Sequence, residues 1–366
     1  MSGGLRGHVP SLDGIRALAI GMVMLAHLWQ GPHLPVLREL SRAGPYGVDV
    51  FFVLSGFLIT GILLRNLNHP RYYRNFYIRR ALRILPLYWC YLTLIFGPRI
   101  ALALSGAPTP PSAGPPWVYY LFVSNLYFVS IASFPDSLLD MTWSLCIEEQ
   151  FYLIFPFLVA KLPRRALVLG LVGVTLAAGP LRYLAYDPGN LLWAYVFPPM
   201  RSDGLALGAL VAVALHHRRD RLLGGLRLLL WPLSAALGFL VAIDFLASYP
   251  GPMAVMHTLV SAWTAALLVA LLSGQHPRLD AIVSWAPLVL VGRISYAMYL
   301  LHPAAYMVTS LILRQLGVPG TETSLASASA HLGIASLATV GMAILTWRTL
   351  EEPALRLKES LAPNQP

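Results

Sequence analysis

The sequence predicts an all-α polytopic membrane protein, and three observations carry the prediction. Apolar residues make up 57% of the chain and charged residues only 11%. Mean hydropathy is +0.64. Apolar runs long enough to cross a bilayer as helices, about 20 residues each, recur along the whole length. Taken in order, the spans fall at 12–30, 46–64, 84–104, 143–160, 166–185, 191–215, 227–247, 255–273, 286–313 and 328–350. The first is preceded by a single arginine, Arg6, and no small-residue cleavage site follows it, so it reads as an uncleaved helix.

A further apolar stretch, 117–133 (WVYYLFVSNLYFVSIAS), is assigned by charge. The 65–83 segment holds six arginines and no acid, and KLPRR at 161–165 and RRDR at 218–221 are also basic. Basic loops stay cytoplasmic. All three share that side only if 117–133 enters the membrane and returns, which leaves the acidic FPDSLLD segment outside. The expectation is therefore ten transmembrane helices plus a re-entrant or interfacial segment, with both termini cytoplasmic. Backbone of that kind survives at membrane depth only against protein or a watery cavity, so a central cavity roofed by Asn125 is expected. The Pro-rich stretch GAPTPPSAGPP reads as a stiff connector, and residues 1–366 as a single membrane domain with no appended soluble domain.

The net charge of +10 sits between apolar runs, where it sets topology, and argues against nucleic acid as a partner. Cys90 and Cys146 both fall inside spans and suggest neither a disulfide framework nor a metal cluster.

Intramembrane ionisable residues are expensive and therefore informative. The first span carries Arg16 and His27, and eleven residues of helix bring both to one face, roughly 16 Å apart. They line one passage without touching. Asp13 lies too far along the helix to reach His27 and is expected to cap the helix or pair with Arg16 at i+3. In WSLCIEEQFY, Ser144, Glu148 and Tyr152 form an i, i+4, i+8 polar stripe, with Glu149 pointing elsewhere. Placing His27 and Glu148 at similar depth suggests a general-base dyad in which the carboxylate fixes the imidazole tautomer. The competing reading pairs either glutamate with a buried arginine such as Arg201.

Arg80 and Arg83 share a face where the third span leaves the cytoplasm, a geometry suited to phosphate but also to topology and anionic lipid. Arg201 and Asp203 lie near the middle of their span and are expected to pair or to meet other charges across the cavity. His302, followed by Pro303, reads as a satisfied core histidine that lines the cavity, and Trp143 as an interface anchor or cavity wall.

The motifs SLDGIRALAI with His27, GVDVFFVLSGFLIT, FYIRRALRILPLYW, WSLCIEEQFYLIFP, RSDGLALGAL and ISYAMYLLHP, in that order, resemble the acyltransferase 3 family of integral membrane O-acyltransferases. The resemblance implies a ten-helix domain of the bacterial cytoplasmic (inner) membrane. It also implies transfer of an acyl group, usually acetyl, from a coenzyme A thioester to a hydroxyl of a glycan or, in some relatives, a macrolide. No metal is implied. The family's Arg-x10-His pattern falls on Arg16 and His27, its Arg-x-x-Arg pattern on Arg80 and Arg83, and its Ser-Leu-x-x-Glu pattern on Ser144, Leu145 and Glu148. Arg16, Arg80 and Arg83 are then expected to hold the cofactor's phosphates, with His27, Glu148 and Ser144 at the chemistry. Asp13, Asn125, Trp143, Glu149, Tyr152, Arg201, Asp203 and His302 would line the cavity. Direct transfer and an acyl-histidine relay both remain open. A proton-coupled transporter using His27 and Glu148 as a relay is the alternative from another class. Acceptor identity, acyl length and oligomeric state are not legible.

Overall fold

A computed structural model of the protein describes residues 9–29, 37, 41–108, 113–217, 224–225, 228–229, 231–236, 250–321 and 323–363. The described helices are α1 (Pro10–Leu28), α2 (Pro45–Arg65), α3 (Tyr72–Ser105), α4 (Pro116–Tyr120), α5 (Ser124–Ile131), α6 (Thr142–Lys161), α7 (Arg164–Leu184), α8 (Leu192–Val196), α9 (Pro198–Arg201), α10 (Asp203–His216), α11 (Pro250–Leu272), α12 (Pro277–Val283), α13 (Ala286–Arg293), α14 (Ser295–Gln315), α15 (Leu325–Thr346) and α16 (Glu352–Leu361). A π-helical turn, Trp347–Glu351, joins the last two. Among the described residues eight helices are long and apolar enough to cross a membrane: α1, α2, α3, α6, α7, α11, α14 and α15 with its continuation.

The differences from the predicted spans have local causes. The span expected at 191–215 is broken into α8, α9 and α10, because Pro198 and Pro199 offer no N–H to the preceding turn. The span expected at 286–313 divides at Ile294 into α13 and α14. The span at 227–247 lies mostly outside the described residues. The 117–133 segment forms α4 and α5, of 5 and 8 residues. At 1.5 Å per residue the longer reaches only about 12 Å, too short for a hydrocarbon core of about 30 Å. It does not cross.

Glycines let helix backbones touch at several crossings. A Cβ on Gly56 of α2 would lie 2.0 Å from the Leu205 carbonyl oxygen of α10, and one on Gly208 would lie 2.0 Å from that of Val53. Small residues at such a crossing allow helices to pack at backbone distance. The same device joins α1 to α13, where a Cβ on Gly292 would lie 1.8 Å from the Asp13 carbonyl oxygen. Helices α1, α2, α6, α10 and α14 thus gather around the interior in which the polar residues are buried.

Candidate active site

Two cavities open at opposite ends of α1. The smaller, about 130 Å3, is walled by Arg16, Arg80, Arg83, Ser55, Glu148 and Tyr152. The larger, about 530 Å3, is walled by His27, Trp143, Tyr195, Asp140, Arg314 and His331, among others. Val48 and Tyr299 line both and form the partition between them. Arg16 and His27 therefore line two different cavities, one on each side of that partition, rather than a single open passage.

The basic cavity is built by α1, α2, α3, α6 and α14. The stripe read from WSLCIEEQFY holds, since Ser144, Glu148 and Tyr152 all line it. The Tyr152 hydroxyl donates to Glu148 Oε2 at 3.2 Å and forms a short hydrogen bond with Ser55. Arg16 pairs with Asp13 at 3.1 Å, as the i+3 spacing predicts, and Arg293 approaches the other oxygen of Asp13 at 3.8 Å. Arg83 pairs with Glu351 of the π-helical turn at 3.2 Å and lies against the rings of Tyr296 and Trp347. Among the described residues Arg80 makes no ion pair; its guanidinium sits 5.9 Å over the Tyr152 ring. The cavity thus keeps a positive charge, carried chiefly by Arg80. Glu149 lines neither cavity, and its Oε1 is buried without a hydrogen-bond partner.

The dyad expected between His27 and Glu148 is replaced by a different arrangement. His27 Nδ1 donates to the Val23 carbonyl at 2.9 Å, so the backbone of α1 itself sets the tautomer and leaves Nε2 as the basic nitrogen. The reason is depth. Ser144 sits at the partition, its hydroxyl 2.6 Å from that of Tyr299, and both hydroxyls reach the Met141 carbonyl. Glu148, one helical turn or roughly 6 Å further along α6, falls on the Arg80 side and away from the cavity of His27.

The floor of the histidine cavity was only partly legible. Trp143 is buried rather than an interface anchor, and with Tyr195 and Phe52 it encloses the Arg201 guanidinium at 5.4–5.9 Å. Arg201 pairs with Asp49 at 3.0 Å, and Asp49 in turn accepts from His257 Nδ1 at 2.7 Å. Asp203 pairs instead with Arg182 at 2.9 Å and accepts from Thr258 at 2.6 Å. All four members of the two ion pairs are fully or almost fully buried, which makes breaking any of them costly. Asn125 lines neither cavity. It exchanges hydrogen bonds with Gln150 and donates to the Val196 carbonyl, tying the short helix α5 to α6 and α8. His302, expected to be satisfied, is not: its Nε2 is buried without a partner, and its ring meets that of His27 edge to face at a centroid distance of 4.9 Å.

Residues 9–348 match the family of the acyltransferase 3 type described as "Acyltransferase domain". The chain belongs to the acyltransferase 3 family. It is 30% identical to the peptidoglycan O-acetyltransferase OatA of Listeria monocytogenes, over 84% of this chain and 51% of that protein. It is 29% identical to YrhL of Bacillus subtilis, over 94% of this chain and 55% of that protein. It is 25% identical to the O-acetyltransferase OatA of Staphylococcus aureus, over 81% of this chain and 50% of that protein. The chain spans about half the length of these acyltransferase 3 relatives. No solved structure matches it.

Proposed function

We propose that the protein is an O-acyltransferase of the bacterial cytoplasmic membrane that moves an acetyl group from acetyl-CoA to a hydroxyl of a glycan. One observation carries the reading. A small basic cavity and a large cavity bearing a tautomer-fixed histidine open at opposite ends of α1 and share a partition of two residues. The family membership and the glycan named for OatA of Listeria support the reaction class and the acceptor class.

The donor's phosphates are strongly anionic, and arginines in fixed geometry bind such groups through paired N–H donors. Arg80, with Arg16 and Arg83 beside it, holds them at the mouth of the basic cavity. The narrow space lined by Ser55, Glu148 and Tyr152 suits a slender pantetheine arm, so Glu148 acts as a hydrogen-bonding wall of the donor passage. His27 Nε2 takes the proton of the acceptor hydroxyl as its oxygen attacks the thioester carbonyl. The hydroxyls of Ser144 and Tyr299, which meet at the partition, stabilise the oxyanion by turning a proton from the Met141 carbonyl to it. The C–S bond then breaks, and the imidazolium returns its proton to the departing thiolate. Trp143 and Tyr195 supply flat apolar walls against which a sugar ring packs, and Asp140 and Arg314 supply polar groups for its substituents.

The test is acceptor-dependent release of free coenzyme A from acetyl-CoA by the purified, detergent-solubilised protein. Glycan and macrolide acceptors are offered in parallel, and wild type is compared with His27→Ala. Release that depends on a glycan and vanishes in the variant is the expected result. Full release by folded His27→Ala protein, or no release with any acceptor from folded wild type, overturns the reading.

A further inference from the structure

Helix α14 carries Tyr299, His302 and Pro303 within little more than one turn, and their chemistry is linked. In a regular helix the N–H of residue 303 would donate to the carbonyl of residue 299. Proline has no N–H, so that carbonyl loses its backbone donor. His302 takes the place: its Nδ1 donates to the Tyr299 carbonyl at 2.7 Å. A carbonyl only accepts, so His302 carries its proton on Nδ1 and presents a bare Nε2. That nitrogen is fully buried and makes no hydrogen bond. Buried polar atoms without partners are rare, and each calls for an explanation. Here the ring stands edge to face against His27, 4.9 Å between centroids and 63° between planes.

We propose that His302 is a positioning residue for the transfer reaction: a neutral imidazole that stabilises the imidazolium formed at His27 while the acceptor is acylated. The inference rests on the acyltransferase reading above. When the acceptor O–H bond breaks, its proton is bound at His27 Nε2 and a positive charge appears inside the protein. Stabilising that charge at the moment it forms lowers the barrier without tightening the ground state. A neutral imidazole that meets His27 edge to face, with an Nε2 lone pair not taken by another partner, provides such stabilisation, and the ring contact restrains the His27 ring in the working orientation. As the C–S bond breaks, the proton passes from His27 to the thiolate, and His302 begins and ends the cycle unchanged. The other titratable groups lining this cavity are Asp140, Tyr195, Tyr299, Tyr306, Arg314 and His331. Of these, Tyr299 also meets the His302 ring, with 6.0 Å between centroids.

The test measures kcat and KM for acetyl-CoA and for the glycan acceptor in His302→Leu, His302→Gln and His302→Asn, with His27→Ala alongside. Leucine fills the space but offers no polar nitrogen beside the developing charge, and kcat should fall by about tenfold, the loss expected when a nearby dipole no longer stabilises charge formed in the transition state. Both KM values should stay within about twofold, because the interaction exists only once charge develops. Glutamine restores an acceptor atom at similar reach and should recover kcat. Asparagine is too short to reach His27 and should not. Should the leucine variant fail to fold, the glutamine and asparagine pair decides alone. Wild-type kcat in folded His302→Leu protein, or equal kcat in the glutamine and asparagine variants, overturns the inference. An active His27→Ala protein would instead overturn the acyltransferase mechanism on which it rests.

Discussion

The two cavities differ in what holds their charges. In the basic cavity nearly every charged group has a partner of its own: Arg16 has Asp13, Arg83 has Glu351, and Glu148 has the Tyr152 hydroxyl, leaving Arg80 as the cation without an ion pair among the described residues. In the histidine cavity an ion-paired cluster sits beneath the surface. Arg201, Asp49 and His257 form a buried unit under Trp143 and Tyr195, and the lining above it combines those aromatic rings with His27, His331, Asp140 and Arg314. A small space with one exposed cation suits the gripping of an anionic group at low conformational freedom. A space about four times larger with flat walls suits a bulky neutral ring. On the proposed reading, donor and acceptor requirements are met by different faces of the same helices, since α1, α2, α6 and α14 each supply residues to both cavities.

Substitutions on the two sides should therefore fail differently. The largest effect belongs to His27→Ala, which should reduce acceptor-dependent transfer by about two to four orders of magnitude, the span attributed to a general base. Donor binding, read by a fluorescent coenzyme A analogue, should be retained. Loss of that binding in the same variant would break the separation between the cavities. Arg80→Ala should act in the opposite way, raising the KM for acetyl-CoA by about tenfold or more while the acceptor KM holds, as expected for removal of a charge-assisted contact to phosphate. An equal effect on both KM values would count against the division.

A smaller and less obvious effect is expected at Glu351. Replacing it with glutamine frees Arg83 from its ion pair, so acetyl-CoA should bind about threefold more tightly while thermal stability falls, because a half-buried arginine loses its counter-charge. Weaker donor binding would mean that Arg83 needs the π-helical turn to hold its orientation.

The smallest effect concerns pH. Asp140 lies in the loop before α6, where burial pushes its carboxyl up to about 7 from 3.8. Between those values the unfolded chain has released the proton and the native chain retains it. Stability contributed by the neutral form is complete below 3.8 and declines as pH rises through about 7. Thermal unfolding across that window should show less decline in Asp140→Asn than in wild type.

The sequence made the spans legible wherever a helix is continuous and apolar, and it made the Arg16 to His27 face legible because helical periodicity needs no tertiary information. It placed Ser144, Glu148 and Tyr152 on one wall for the same reason. What it left unread depends on distant partners. Nothing in RSDGLALGAL announces that Arg201 meets Asp49 while Asp203 meets Arg182, since each ion pair is made between different helices. The depth of Glu148 relative to His27 depends on where α6 begins against α1, and a shift of one turn moves a side chain from one cavity to the other. Asp49 and His257 did carry a signal, as ionisable groups inside apolar runs, but their roles needed coordinates. His302 was misjudged as satisfied because a histidine before a proline looks like a simple helix perturbation, whereas the carbonyl that the proline leaves open captures the ring.

The glycine contacts between α2 and α10 have a mechanical consequence. Gly56 and Gly208 bring two main chains so close that neither helix has room to roll or slide past the other without collision. That pair is the chassis of the molecule, a fixed reference to which Asp49 and Arg201 are bolted from either side. Opening or closing of the Val48 and Tyr299 partition then falls to the α14 wall. Distance probes attached across α2 and α10 would read one constant separation through every turnover, a built-in ruler for motion elsewhere.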